Sequence, residues 1–258
     1  MLNRELMQTQ AASLLHELKF QIDDNWKNTN ALIAHSDMHR PQPLLNHYSK
    51  IEDDVILKLT HLLNKVTILI NQLSYIEQQV HLIASSNEKD NDLLIQHIKH
   101  QIMIGRFHLT IAEYFFKTYI YRLSKKYNPA LVTAEKWIKQ IIAFKKYLEE
   151  NKLPYDASSL NMILINAYNH KAKIHRSLAG HNLNKLDMAQ LHLAEDCYQY
   201  AIKMQNHPVL LNGLGFLYND MSDQPDSEDK ILLLDKSLAC HQVALVYYTQ
   251  DPKTQHSI

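Results

Sequence analysis

Four glycines and seven prolines are spread over 258 residues. Strand-rich folds need a tight turn every ten or so residues, most of them glycine-dependent. The shortage excludes an all-β or α/β design and fits long helices with few connections. Cysteine is scarcer still. Cys197 and Cys240 are too few for a disulfide framework and suit a reducing compartment, so a cytoplasmic location is expected. No apolar run reaches the roughly 18 residues a membrane span needs. The opening MLNRELMQTQAASLLHELKF is charged and amphipathic, unlike a secretory signal. An excess of one charge is also missing: 27 Lys and Arg stand against 27 Asp and Glu. Bulk electrostatics therefore point to neither nucleic acid nor a membrane surface.

What is present is helical periodicity. Leu6, Leu14, Leu15 and Leu18 predict a helix over residues 2–20, and a shorter one is expected from Trp26 to Ala34. Pro41 and Pro43 interrupt the pattern. Ser49 with Glu52 reads as a capping box. Val55, Leu59, Leu62, Val66, Leu69, Leu73, Ile76, Val80 and Ile83 then form an unbroken heptad seam. Ile56, Leu63 and Ile70 widen it into the stripe of a bundle helix. After the polar SSNEKDND a second long helix is predicted from Asp92 to Lys126, antiparallel to the first because the turn is short. Asn128 as N-cap and Pro129 at the first position open a third, which closes before Pro154. Shorter helices follow over Ala157–Ala179, Leu186–Gln205, Pro208–Met221 and Lys230–Tyr248. The domain boundary is placed between 1–128 and 129–258, with the second part continuous with the first.

In LAEDCYQYAIKM, Ala194, Tyr198 and Ala201 alternate small, large, small at steps of four and three. This resembles the second helix of a tetratricopeptide repeat. LLNGLGFLY resembles the first helix of the next repeat, with Leu211, Leu214, Gly215 and Tyr218 at its signature positions. SLACHQVALVYYTQDP resembles a further second helix, although the connection before it is longer than the family's turn. The span from LPYDASSLNM to LYNDM also resembles 14-3-3 proteins, a related class of helical-hairpin superhelix. That resemblance places Arg176 of HRSLAG where the family holds phosphate, with Ser177 in place of a tyrosine, and Asn212 near, though out of register with, a peptide-clamping asparagine. The long helix from Ser49 carries Lys50, Lys58 and Lys65 without the family's basic arrangement.

Reaction motifs are wanting. No Glu-x-x-His pair, His-Glu-x-x-His, Gly-x-Ser-x-Gly or phosphate loop occurs. His97, His100 and His108 share a helix region without a complete ligand set, so no metal and no cofactor are expected. Cys240 and His241 are adjacent, which on a helix turns them about 100° apart. Lys117, Arg122, Lys125, Lys126, Lys136, Lys139, Lys145 and Lys146 make the middle basic, and Asp220, Asp223, Asp226, Glu228, Asp229 and Asp235 make the last connection acidic. Solvated helix surface and a wall for an acidic peptide, phosphate group or nucleic-acid backbone both account for the basic run. Tyr119, Tyr127, Trp137 and Tyr147, interleaved with it, fit a core better than a base-stacking platform.

The expected fold is all-α: a long antiparallel helical hairpin followed by a tetratricopeptide-like right-handed superhelix. The expected function is a non-enzymatic module that holds a peptide or helix of another protein, acidic or phosphorylated, in a concave groove. Its groove residues would be Asn166, Asn169, His170, Lys173, Arg176, Asn212 and Asn219. One alternative is a homodimeric scaffold joined through the heptad seam. Another is an enzyme with a dispersed site. Abundant Asn, Ile, Lys and His resembles proteins of AT-rich intracellular bacteria, which makes an effector translocated into a host cell the form that alternative would take.

Overall fold

A computed structural model describes residues 45–85, 92–180, 186–224 and 229–250. Among them the chain is all-α, with seven helices and no strand. These are α1 (Leu45–Ser85), α2 (Asp92–Leu123), α3 (Tyr127–Glu150), α4 (Ala157–Ala179), α5 (Met188–Met204), α6 (Pro208–Ser222) and α7 (Lys230–Gln250). The two short helices expected before Pro41 lie outside the described residues. The chain divides into two compact units, Met1–Lys117 and Thr118–Ile258, at a point inside α2.

In the first unit the heptad seam is the buried face of α1: Leu59, Val66, Leu69, Leu73, Ile76 and Val80 are all core residues. On α2, Ile102, Phe107, Leu109, Ile111, Phe115 and Phe116 are buried too. The two helices meet where Leu73 Cδ2 would lie 3.7 Å from a side chain added at Gly105, and where Glu77 pairs with Arg106. Ser49 does not cap α1. The helix already begins at Leu45, because Leu45–Tyr48 contain no breaker and helix formation continues through them.

The second unit is a succession of helices in which each packs on the next, and α4 also touches α6. Its starts and stops are local. Asp156 caps α4 by accepting from Ser158 N at 2.9 Å, and Asp187 caps α5 by accepting from Ala189 N at 3.0 Å. His207 caps α6 ahead of Pro208, whose missing N–H costs nothing in the first turn. The start of α3 differs from expectation. Lys126, not Asn128, is the N-cap and makes no side-chain capping bond. Pro129 still falls in the first turn, where no backbone donor is required.

Without glycine at the ends of α2 and α3, lysine takes the left-handed position, Lys125 at φ 57° and Lys152 at φ 52°. The returning bonds Lys126 N to Tyr121 O (2.8 Å) and Leu153 N to Leu148 O (2.9 Å) close both ends.

The core of this unit runs through α4, α5 and α6: Ile165, Ala172, Leu191, Ala194, Tyr198, Leu214 and Leu217 pack together, with Leu233 and Cys240 of α7 against them. Small residues let the helices approach. Gly213 and Gly215 are about 200° apart around α6 and serve opposite neighbours. A Cβ at Gly213 would stand 2.8 Å from the Tyr198 ring of α5, and one at Gly215 would stand 2.8 Å from the His241 ring of α7. Polar bonds then fix the pairs. Lys171 reaches Glu135 (3.1 Å), His175 Nδ1 donates to Gln190 Oε1 (2.8 Å), Tyr218 Oη to Glu195 Oε1 (2.8 Å), and Ser237 Oγ to Gly215 O (2.8 Å).

Candidate functional site

The predicted groove residues lie on two helices that touch. On α4, Asn166, Asn169, Lys173 and Arg176 are spaced three, four and three, which puts them on one face. On α6, Asn212, Phe216 and Asn219 are spaced four and three and share a face likewise. Arg176 joins the rows. It pairs with Asp220 of α6, its Nη2 donating to Oδ1 at 2.9 Å, and its guanidinium lies 5.7 Å from the centre of the Phe216 ring. Phe216 is 47% exposed despite being aromatic. Its ring meets His241 of α7 edge-on at 4.9 Å, and His241 Nδ1 donates to Asn212 Oδ1 at 2.7 Å. One arginine, one carboxylate, one phenyl ring, one imidazole and one amide are thus linked across α4, α6 and α7.

The seven predicted residues are not equally placed. Asn166 and Asn219 are exposed, while Lys173, Arg176 and Asn212 are half-buried. Asn169 and His170 are buried and form the base beneath the row. The His170 ring lies 5.0 Å from Tyr119 and 5.9 Å from Trp137 between ring centres. Burial, reinforced by the charges of Arg122 and Lys173, holds its pKa well below the ordinary imidazole value. It is a neutral ring at neutral pH. Asn169 Oδ1 is buried and finds no donor among the described residues.

Phe216, Asp220 and His241 were absent from the expected groove set. A phenylalanine in an apolar run reads as core, and nothing local ties Asp220 to an arginine 44 positions earlier. A usable signal was present for Phe216 alone. It follows Gly215 in a helix where the matching core positions, Leu214 and Leu217, already fill the buried face.

Neither cysteine sits where a thiolate is favoured. Burial pushes the Cys197 thiol up to about 11, and Cys240 is raised for the same reason, the reverse of a thiolate's environment. Tyr198 is likewise raised to about 12 by burial. Among the described residues no group of three or more His, Cys, Asp or Glu could hold a metal ion, and no helix is long and apolar enough to cross a membrane. The basic run is partly spoken for: Lys117 pairs with Glu113, and Lys146 with Glu150 at 3.6 Å. Two of its interleaved aromatics, Tyr119 and Trp137, are core. The chain matches no family model, no curated protein and no solved structure.

Proposed function

We propose that the chain is a non-enzymatic protein–protein interaction module. In this reading α1 and α2 form an antiparallel hairpin, and α4 to α7 are two tetratricopeptide-like hairpins of a right-handed superhelix. The faces of α4 and α6 then line its concave side. An extended peptide or a helix of a partner lies along that row.

The observation that carries the reading is the linked set Arg176, Asp220 and Phe216, which joins the polar faces of two touching first helices and leaves an aromatic ring exposed among them. Exposed rings flanked by arginine and amides are what peptide grooves use: the ring gives contact area, and the amides meet backbone groups. Asn166 and Asn219 stand at the rim for that purpose.

Lys173 and Arg176 favour an acidic or phosphorylated segment. Asp220 already engages Arg176, so a singly charged carboxylate gains little by replacing it. A phosphoryl dianion gains more.

Selection of peptides from a random library on the full chain tests the reading. Selected peptides should lose about tenfold to a hundredfold in affinity on Asn166→Ala, Phe216→Ala or Asn219→Ala. Peptides that bind these variants as well as wild type would place the binding surface elsewhere. Competition by free inorganic phosphate separates the phosphorylated class from the merely acidic one.

A further inference from the structure

The described residues hold three arginines, and two of them have carboxylate partners: Arg106 pairs with Glu77 and Arg176 with Asp220. The third does not. Arg122, in the last turn of α2, is half-buried, and among the described residues no carboxylate pairs with it. Its guanidinium lies 4.7 Å from the centre of the Tyr119 ring, and its Nε is buried without an acceptor among the described residues. The carbonyls of a helix C-terminus account for a solvated arginine there. They do not account for one drawn inward, where a cation without a counter-ion is costly.

Tyr119 carries the contact across to α4, because its ring is 5.0 Å from that of His170. Lys173 stands one turn beyond His170, and Arg176 one turn further. The charges that act on the His170 ring are Arg122 and Lys173, both positive. Arg122 and Arg176 act together in the same sense on the buried Tyr198 of α5. Two helices thus bring three cations around a floor of buried rings, where low polarity strengthens every electrostatic contact. Asp220, the carboxylate that acts on Tyr198, is already held by Arg176. That leaves Arg122 as the guanidinium open to an incoming anion. A carboxylate has two oxygens in one plane and suits a single arginine fork. A phosphoryl group has three oxygens and about two negative charges, so it can meet a fork on one helix and an ammonium on another.

We propose that Arg122 of α2 and Lys173 of α4 together hold a phosphomonoester dianion over the Tyr119 and His170 rings. This deepens the groove reading, on which it rests for the polypeptide that carries the phosphate.

The test is titration of the full chain with inorganic phosphate at pH 8, against sodium chloride at equal ionic strength, while NMR follows the His170 ring. The expected result is a saturable shift of that ring. Its dissociation constant should rise about tenfold in Arg122→Gln and stay unchanged in Lys139→Gln, which removes an exposed cation of α3. Arg122→Lys keeps the charge and loses the fork, so it should fall between. Lys173→Gln reads the other side of the site with a similar loss, and decides the matter even if Arg122→Gln folds poorly. A ring that responds to phosphate no more than to chloride would overturn the proposal. So would saturation that Arg122→Gln or Lys173→Gln leaves unchanged. Failure of the groove reading shows separately, in peptides that bind Phe216→Ala as well as wild type, because the phosphate titration uses no peptide. A selected peptide made with phosphoserine gives the source of the dianion. Binding at least about tenfold tighter than inorganic phosphate, lost in Arg122→Gln, assigns it to a polypeptide, and equal affinities assign it to a free phosphate ester.

Discussion

Arg176 on α4 donates two hydrogen bonds to the Asp220 carboxylate on α6, bridging helices that are one step removed in the chain. Both side chains are about one-third exposed, so solvent screens the pair. A double-mutant cycle with Arg176→Ala and Asp220→Ala should give a coupling of about 1 kcal/mol, at the upper end for such pairs because the contact is two-pronged. Urea denaturation measures it. A coupling indistinguishable from zero would mean that the pair positions the groove without holding the helices together.

Three glycine-to-alanine changes should differ in sign. Alanine gains about 1 kcal/mol over glycine in a helix. At Gly105 the new methyl meets Leu73 at 3.7 Å, an ordinary contact, and the gain should survive as about 0.5–1 kcal/mol of stabilisation. At Gly213 and Gly215 it meets a ring at 2.8 Å. Tyr198 is buried, and His241 is held by Asn212, so neither ring can step aside freely. Net destabilisation of about 1–2 kcal/mol is expected at each, read from denaturation midpoints.

The left-handed lysines offer the opposite lesson. Lys125→Gly and Lys152→Gly place the one residue without a Cβ penalty where φ is positive. Each should raise stability by up to about 1 kcal/mol, seen as a higher thermal midpoint. Double substitution should be additive, since the two sites end different helices.

Stability should fall on mild acidification. His170, His175, His207 and His241 all have pKa values lowered from 6.5, each chiefly by burial. Below the unfolded value the unfolded chain binds more protons than the folded one, so stability is full above about pH 7.5 and declines as pH drops through 6.5. His170 alone, fully enclosed, contributes a slope of up to about 1.4 kcal/mol per pH unit. Denaturation at pH 8, 7, 6 and 5 should show the decline, and His170→Phe should flatten it whatever that change does at pH 8. An unaltered slope would show that the other histidines dominate.

The long α1 was legible because one repeating stripe from Leu59 to Val80 does a single job over six turns. Asp156 and Pro208 marked their boundaries for equally local reasons: an oxygen for a free N–H, and a missing donor. The start of α3 was misread because Asn128 and Pro129 look like a cap and first residue. Yet the chain had already turned at Lys125, and a turned chain needs no side-chain cap at the next position. The candidate site was half legible. Helical spacing put Asn166, Lys173 and Arg176 on one face, but it also admitted Asn169 and His170. Only packing against Tyr119 and Trp137 distinguishes a buried polar side chain from an exposed one. Asp220 and His241 required knowing which helices touch, and spacing within one helix carries no such information.

The two glycines of α6 bear on how closely the helices of the second unit are spaced. With Tyr198 seated against its backbone on one side and His241 on the other, α6 is held at close range by both neighbours. Any rotation would swing a side-chain-bearing position, such as Asn212 or Leu214, into a space that admits only hydrogen. The spacing of α5 from α6 and of α6 from α7 is therefore set by two hydrogen atoms, one at Gly213 and one at Gly215.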